Sequence, residues 1–314
     1  NGVFSDPPQS YIWMRSARVE FFPAAQTSPP ATIVRVDPRI DSLIPIAEEI
    51  EVIENGFNWL EGPVWSPSEE ALYFSDIPQN AVYRWRKGYG SKLFLKPSGY
   101  TGSSPFTGRE PGSNGLTFDG RDRLVFCEHG DRRIARLESN GTKTTLVDRF
   151  EGKRLNSPND LVYDSRGNLY FTDPPFGLPQ QFDDPQRELD FSGVFRLSPD
   201  GRLELLTEEL SAPNGLALTP DQKTLVVSNA DRNAPIWMAY TLRDDGALGP
   251  GRVFADARPW LDNGPGLPDG MKFDRAGNLF ATGPGGLYLF ASDGTHLGTV
   301  LTGRATSNCT WGGD

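Results

Sequence analysis

Six residues able to offer oxygen to a hard cation recur at matching points of a repeated segment: Glu61, Asn114, Asn159, Asn214, Asp269 and Asn308. Each opens a short run: EGPVW, NGLTF, NDLVY, NGLAL, DGMKF and NCTWG. A single Asn or Asp in such a place is ordinarily structural, because its side chain bonds nearby backbone at turns. The set is harder to explain that way. Glu61 has no turn preference, and two acids brought to one place repel unless a cation lies between them. Two carboxylates and four amides make an all-oxygen cage with two formal charges, which suits Ca²⁺. Mg²⁺, Mn²⁺ and Zn²⁺ are the alternative divalent ions, Zn²⁺ the least suited, since the chain has two His and two Cys, none at metal-site spacing.

The elements that must bring these residues together follow from the repeat. Its units read small polar start, apolar strand, Asp/Gly/Ser turn, second strand, polar break and third strand, with starts 53, 45, 55, 55 and 39 residues apart. The LYF, LVF and LVV runs are β-branched or aromatic and end in DSRGN or DRAGN turns, and 34 Gly and 27 Pro leave little room for long helices. The expected fold is all-β: a six-bladed β-propeller of four-stranded antiparallel blades around a central metal-holding tunnel. Residues 32–314 form it, preceded by an N-terminal extension over 1–31. Strands alternate direction, so the short turns share one face. The long connections 96–113, 148–158, 173–192, 228–235 and 254–268 share the other, which is the expected functional face. The chain stops just inside a sixth unit. Residues 48–55 and the alternating segment Tyr11 to Phe22 are expected to complete that blade.

Composition excludes several classes. With 41 acidic and 31 basic residues the net charge is −10, which disfavours nucleic acid and anionic lipid. No apolar run reaches the roughly 18–20 residues of a membrane span. A soluble protein is expected, cytoplasmic or periplasmic, monomer or dimer. Cys127 and Cys309 read as two buried thiols. GxxxxGK[ST], GxSxG and HExxH are all absent, which removes nucleotide-dependent, serine-hydrolase and zinc-protease chemistry.

EGPVW (61–65), SPNDLV (157–162), NLYFTDP (168–174), APNGLA (212–217), PDGMKFD (268–274) and SNCTWGG (307–313) together resemble the gluconolactonase, senescence-marker-protein and luciferin-regenerating-enzyme family. The likeness covers about residues 34–314. It implies a divalent ion held by Glu61, Asn159, Asn214 and Asp269, Asp269 doubling as general base or nucleophile, and Asn114 either supporting the ligands from behind or touching substrate. Animal lactonases of this family carry an arginine two residues before the Asn159 position. Ser157 stands there as the substrate-side residue, and NSPND and FTDPPFG look more like the bacterial gluconolactonase branch.

Second strands return to the same face and end at Asp76, His129, Asp173, Asn229 and Asp231. His129 suits proton transfer near neutral pH. Asp173 opens the 173–192 loop, where it either orients ligands or caps its strand. His296 belongs to a turn on the far face, and Asp164 to Asn168 is a hairpin turn rather than a calcium loop. The expected activity is opening of a small sugar lactone, its carbonyl polarised by Ca²⁺ and its water activated by a carboxylate or His129. Phosphotriesterase-like or aryl esterase activity would use the same site. A non-catalytic protein-binding propeller is the alternative of another class.

Overall fold

Asp164 shows how the short turns are made. Its Oδ1 accepts the Arg166 and Asn168 N–H groups at 2.9 and 2.8 Å, its Oδ2 accepts the Asn168 side-chain amide at 2.7 Å, and Gly167 takes φ +83°. Asp274 repeats this with Asn278, and Asp119 accepts from Arg121 and Arg123. These oxygens are committed within the hairpin, to its backbone N–H groups and the Asn168 amide, so DSRGN is a turn, as expected.

The computed structural model describes residues 3–6, 10–13, 31–48 and 50–313. Its hairpins stack into antiparallel sheets whose strands follow chain order. Blade one is Leu60–Ser66, Ala71–Asp76, Ala81–Arg86 and Gly90–Leu95. Blade two is Ser113–Phe118, Leu124–Glu128, Arg133–Leu137 and Lys143–Val147. Blade three is Leu161–Tyr163, Leu169–Asp173, Gly193–Leu197 and Leu203–Thr207. Blade four is Pro213–Leu218, Thr224–Asn229, Ile236–Leu242 and Leu248–Asp256. Blade five is Met271–Phe273, Leu279–Gly283, Gly286–Phe290 and His296–Leu301, to which Thr32–Arg35 adds a fifth strand. The all-β propeller class holds. Among the described residues no helix is long and apolar enough to cross a membrane.

The blades fall into two compact units. The first comprises Asn58–Ser66 and Ala71–Asn214, with blades one to three. In it Tyr73, Leu116 and Phe126 fill the space between blades one and two, and Val125, Leu169, Phe171 and Phe195 the space between two and three. The second comprises the described residues up to Phe57, Pro67–Glu70 and those from Gly215 onward. There Trp237, Met271, Tyr288 and Phe290 join blades four and five.

The expected sixth blade is not present: among the described residues there are five. Neither 50–57 nor 302–313 forms a strand. Cys309 is buried instead in one apolar cluster with Ile40, Leu43, Ile44 and Phe280, and Trp311 and Ile50 pack against it half-buried. The Trp311 indole N–H donates to Phe273 O at 2.7 Å and its ring meets Phe280 edge-on. What packs there is the short helix Ile40–Leu43, whose backbone groups bond locally, as Ile44 N–H does to Ile40 O, and offer no ladder. Strand donation from the N-terminal side does occur, but to blade five through Thr32–Arg35. Ser10–Trp13, the start of the segment expected to serve the sixth blade, pairs with Val3–Asp6, and residues 14–22 lie outside the described ones.

Candidate active site

Glycine after the oxygen-bearing residue is the local rule that brings first strands together. In the first unit a Cβ on Gly62 would lie 2.3 Å from Asn114 O, and one on Gly115 would lie 2.7 Å from Asn159 O. No real Cβ approaches so closely. Only glycine lets the chain following Glu61 rest on Asn114 and the chain following Asn114 rest on Asn159. The Gly115 N–H donates to Asn159 O at 2.8 Å, tying blade two to blade three at this point.

Hydroxyls at the ends of second strands add a second tie. Ser75 Oγ donates to Asn114 O at 2.9 Å, and Thr172 Oγ1 to Asn214 O at 2.7 Å. The residue after each hydroxyl, Asp76 or Asp173, clamps the chain entering the same blade. Asp76 accepts the N–H groups of Asn58 and Trp59, and Asp173 accepts that of Asn156 at 2.7 Å. Asn58 and Asn156 each stand three residues before Glu61 and Asn159. Asp173 is fully buried, and burial pushes its carboxyl up to about 7 against the opposing pull of the Asn156 N–H and the Arg132 guanidinium. The Asn156 contact is of the capping kind, and the other oxygen, Oδ1, is buried without a hydrogen-bond partner.

Ser157 is also enclosed. Its hydroxyl donates to Pro174 O at 2.6 Å and accepts the Gly177 N–H at 2.9 Å, pinning the start of the 173–192 loop. Gly177 then lies flat on the His129 ring, where a Cβ would fall 2.5 Å from Cβ and Cγ of the histidine. His129 is accordingly buried completely. Its Nε2 lies 3.3 Å from Asn114 Nδ2 and its Nδ1 3.0 Å from Glu110 Oε2, the latter close but poorly aligned for a hydrogen bond.

Four expected site residues, Glu61, Asn114, Asn159 and Asn214, belong to the first unit, and all are less than a tenth exposed. The buried Oδ1 atoms of Asn114 and Asn214 have no hydrogen-bond partner. An orphaned buried amide oxygen costs about 1–3 kcal/mol, a penalty that a cation or a ligand hydroxyl removes. The donor chemistry, amide oxygens and the Glu61 carboxylate, all buried in one unit, fits a hard ion such as Ca²⁺. Among the described residues no three His, Cys, Asp or Glu side chains gather as a metal group, so amide oxygens would have to supply much of the coordination.

Asp269 and Asn308 belong to the second unit. The same rule operates there: a Cβ on Gly215 would lie 2.3 Å from Asp269 O and one on Gly270 2.0 Å from Asn308 Cγ. Thr282 Oγ1 donates to Ser307 O at 2.9 Å, repeating the hydroxyl tie. Asp269 itself is half-buried. His296 stacks near Trp260 and Phe290 and reaches Thr299 Oγ1 at 2.9 Å.

Two features escaped the sequence reading. The hydroxyl tie is written as a repeat, FSD, FTD and VSN with ATG at blade five, and could have been found by aligning second strands. Glu110 sits in a long loop with no periodic signal, and only the fold brings it to His129.

The sequence profile of the SMP-30/Gluconolactonase/LRE-like region matches residues 59–314. A gluconolactonase from Zymomonas mobilis is 43% identical over 286 residues, covering 89% of this chain and 80% of that protein. A pentonolactonase from Haloferax volcanii is 29% identical over 264 residues, covering 82% and 78%. The solved structure of a gluconolactonase from Xanthomonas campestris superposes with a TM-score of 0.76 at 33% identity, covering 92% of this chain and 96% of that one.

Proposed function

Because the chain belongs to the SMP-30/gluconolactonase/LRE-like family, we propose that it is a lactonase that opens a sugar lactone with the help of a bound divalent ion, Ca²⁺ in the first instance. The named activities of its relatives support the reaction class. The observation that carries the ion is the pair of buried, unpartnered Oδ1 atoms on Asn114 and Asn214, in the same unit as the buried Glu61 carboxylate.

Glu61, Asn159 and Asn214 are the proposed ligands in the first unit. Asp269 joins them on its PDGMKFD motif rather than on any distance. The ion, when bound, supplies Lewis-acid polarisation of the lactone carbonyl. Asn114 offers its amide to the substrate side. Opening adds water across the acyl C–O bond, so one group must take the water's proton and return it to the departing ring oxygen. Asp269 is assigned that role. His129 is the competing base, but its ring lies between two protein groups, Asn114 and Glu110, which favours the carboxylate.

Hydrolysis of aldonolactones, aryl esters and organophosphates by metal-stripped and Ca²⁺-reloaded protein tests this. Lactones should be the preferred class, and activity should fall on stripping and return on reloading. With saturating Ca²⁺, Glu61→Gln should recover substantially while Asp269→Asn stays at least about a hundredfold down. Full activity in metal-free protein refutes the ion. Organophosphate or aryl ester preference moves the site to those esters, and inactivity on all three favours a protein-binding propeller. If His129→Ala abolishes kcat while Ca²⁺-loaded Asp269→Asn keeps its rate, the base is His129.

A further inference from the structure

We propose that Glu110 is a positioning residue: acting through the ring of His129, it holds the Asn114 amide with its Oδ1 presented to the ligand. This rests on the lactonase reading for the identity of the ligand, but not for the contacts themselves. Glu110 Oε2 lies 3.0 Å from Nδ1, out of line for a hydrogen bond, and a carboxylate this close repels a lone pair and attracts an N–H, so it favours the ring proton on Nδ1. In the neutral ring Nε2 is then a lone pair, and the atom of Asn114 that faces it at 3.3 Å must be the donor, Nδ2. That choice points Oδ1 away from the imidazole, and Oδ1 is the atom found buried without a partner. The histidine tautomer thus decides which end of the amide meets a ligand.

Packing fixes the rest of the chain of contacts. The His129 N–H donates to Gly112 O at 3.2 Å, which holds the end of the loop carrying Glu110 to the strand carrying the ring. Gly177 closes the ring face, anchored in turn by Ser157. With no room for the ring to swing, its proton position is the remaining freedom, and Glu110 is the residue that sets it. The Glu110 side chain is 28% exposed, so its substitution leaves the buried core untouched.

The chain contains two histidines, so nitrogen-15 imidazole spectra of the whole protein resolve each ring, with His296 as the internal control. In alkaline buffer His129 should carry its proton on Nδ1, the minor tautomer of free imidazole. Glu110→Ala should move it toward the Nε2–H form, while Glu110→Gln, whose amide oxygen still accepts, should keep it. In parallel, Glu110→Ala should raise KM for the lactone about five- to tenfold, with a smaller change in kcat, and Glu110→Gln should restore most of the loss. A wild-type ring protonated on Nε2 overturns the proposal, as does a ring whose tautomer ignores Glu110→Ala. A tautomer shift with unchanged KM also overturns it, by cutting the link from ring to ligand. Should the protein open no lactone, the lactonase reading fails, while the spectra still decide whether Glu110 sets the ring.

Discussion

Placing one methyl group at Gly115 tests how the site residues are brought together. Gly115 has ordinary backbone angles, so alanine there is opposed by space alone: its Cβ would fall 2.7 Å from Asn159 O and 2.8 Å from Asp160 Cα. Both obstacles are backbone, and the Gly115 N–H is bonded to the same Asn159 O. Relief must therefore separate blade two from blade three where Asn114 and Asn159 stand. Overpacking of this kind costs about 1–3 kcal/mol, and a stretched buried backbone hydrogen bond adds about 1 more. The expected loss is about 2–4 kcal/mol. At about 2.1 cal/mol/K of unfolding entropy per residue, a chain of 314 residues should then lose roughly 3–6 °C in Tm. Gly120→Ala is the control, since a Cβ there meets nothing within 4 Å and the residue is exposed. That variant should be neutral or gain up to about 1 kcal/mol through a stiffer unfolded chain. Calorimetry on the two variants, with lactone hydrolysis alongside, gives the answer. If Gly115→Ala melts with Gly120→Ala and keeps its activity, close backbone approach is not what positions Asn114 and Asn159.

Two further outcomes follow from the buried polar groups. The Asp173 carboxyl is raised from 3.8 to about 7 by burial, so its contribution to stability is full below about pH 4 and is lost as pH rises through 7. Asp173→Asn should therefore gain on wild type by a few kcal/mol between pH 4 and 8, at about 1.4 kcal/mol for each tenfold difference in proton affinity between folded and unfolded chain, and parallel urea-midpoint curves would exclude the charged form as the cause. Ser157→Ala strips partners from Pro174 O and Gly177 N–H, so it should cost about 2–4 kcal/mol and speed hydrogen exchange at Gly177 at least tenfold. Unchanged exchange at Gly177 would show that the loop is held by something else.

The blades were legible because alternation and turn chemistry are local. LYF and LVV runs separated by Asp-containing turns can pair in few ways, and they pair in chain order. The number of blades was not legible, because SNCTWGG carries a strand-like start whose fate depends on what packs beside it. Trp311 finds Phe273 and Phe280, the helix Ile40–Leu43 fills the cluster, and no ladder forms. At the site, Glu61, Asn114, Asn159 and Asn214 were visible as a repeat, whereas the reason each is followed by Gly or Asp is a distance between strands some 50 residues apart. The bonds of the Ser157 hydroxyl to Pro174 O and the Gly177 N–H, and of Asp173 to the Asn156 N–H, were not legible, because one-dimensional position cannot tell which way a buried side chain turns.

The strand Thr32–Arg35 has a bearing on how this protein avoids sticking to itself. The outer strand of blade five, HLGTVL, has no lysine, arginine or acid, and an open edge of that composition is a template for another chain. Thr32–Arg35 occupies the edge in register from Leu301↔Thr32 to Gly298↔Arg35. Gly298 lies so close to Val34 O that a Cβ would fall 2.3 Å away, so the cover fits tightly. Arg35 locks it by donating to Asp41, Ile44 O and Pro45 O. The covering strand and the edge it covers lie more than 250 residues apart, so during synthesis the early segment waits while the rest of the chain is made. Once the apolar edge is made, it is guarded only by the speed with which the two find each other, and aggregation competes with folding at this seam.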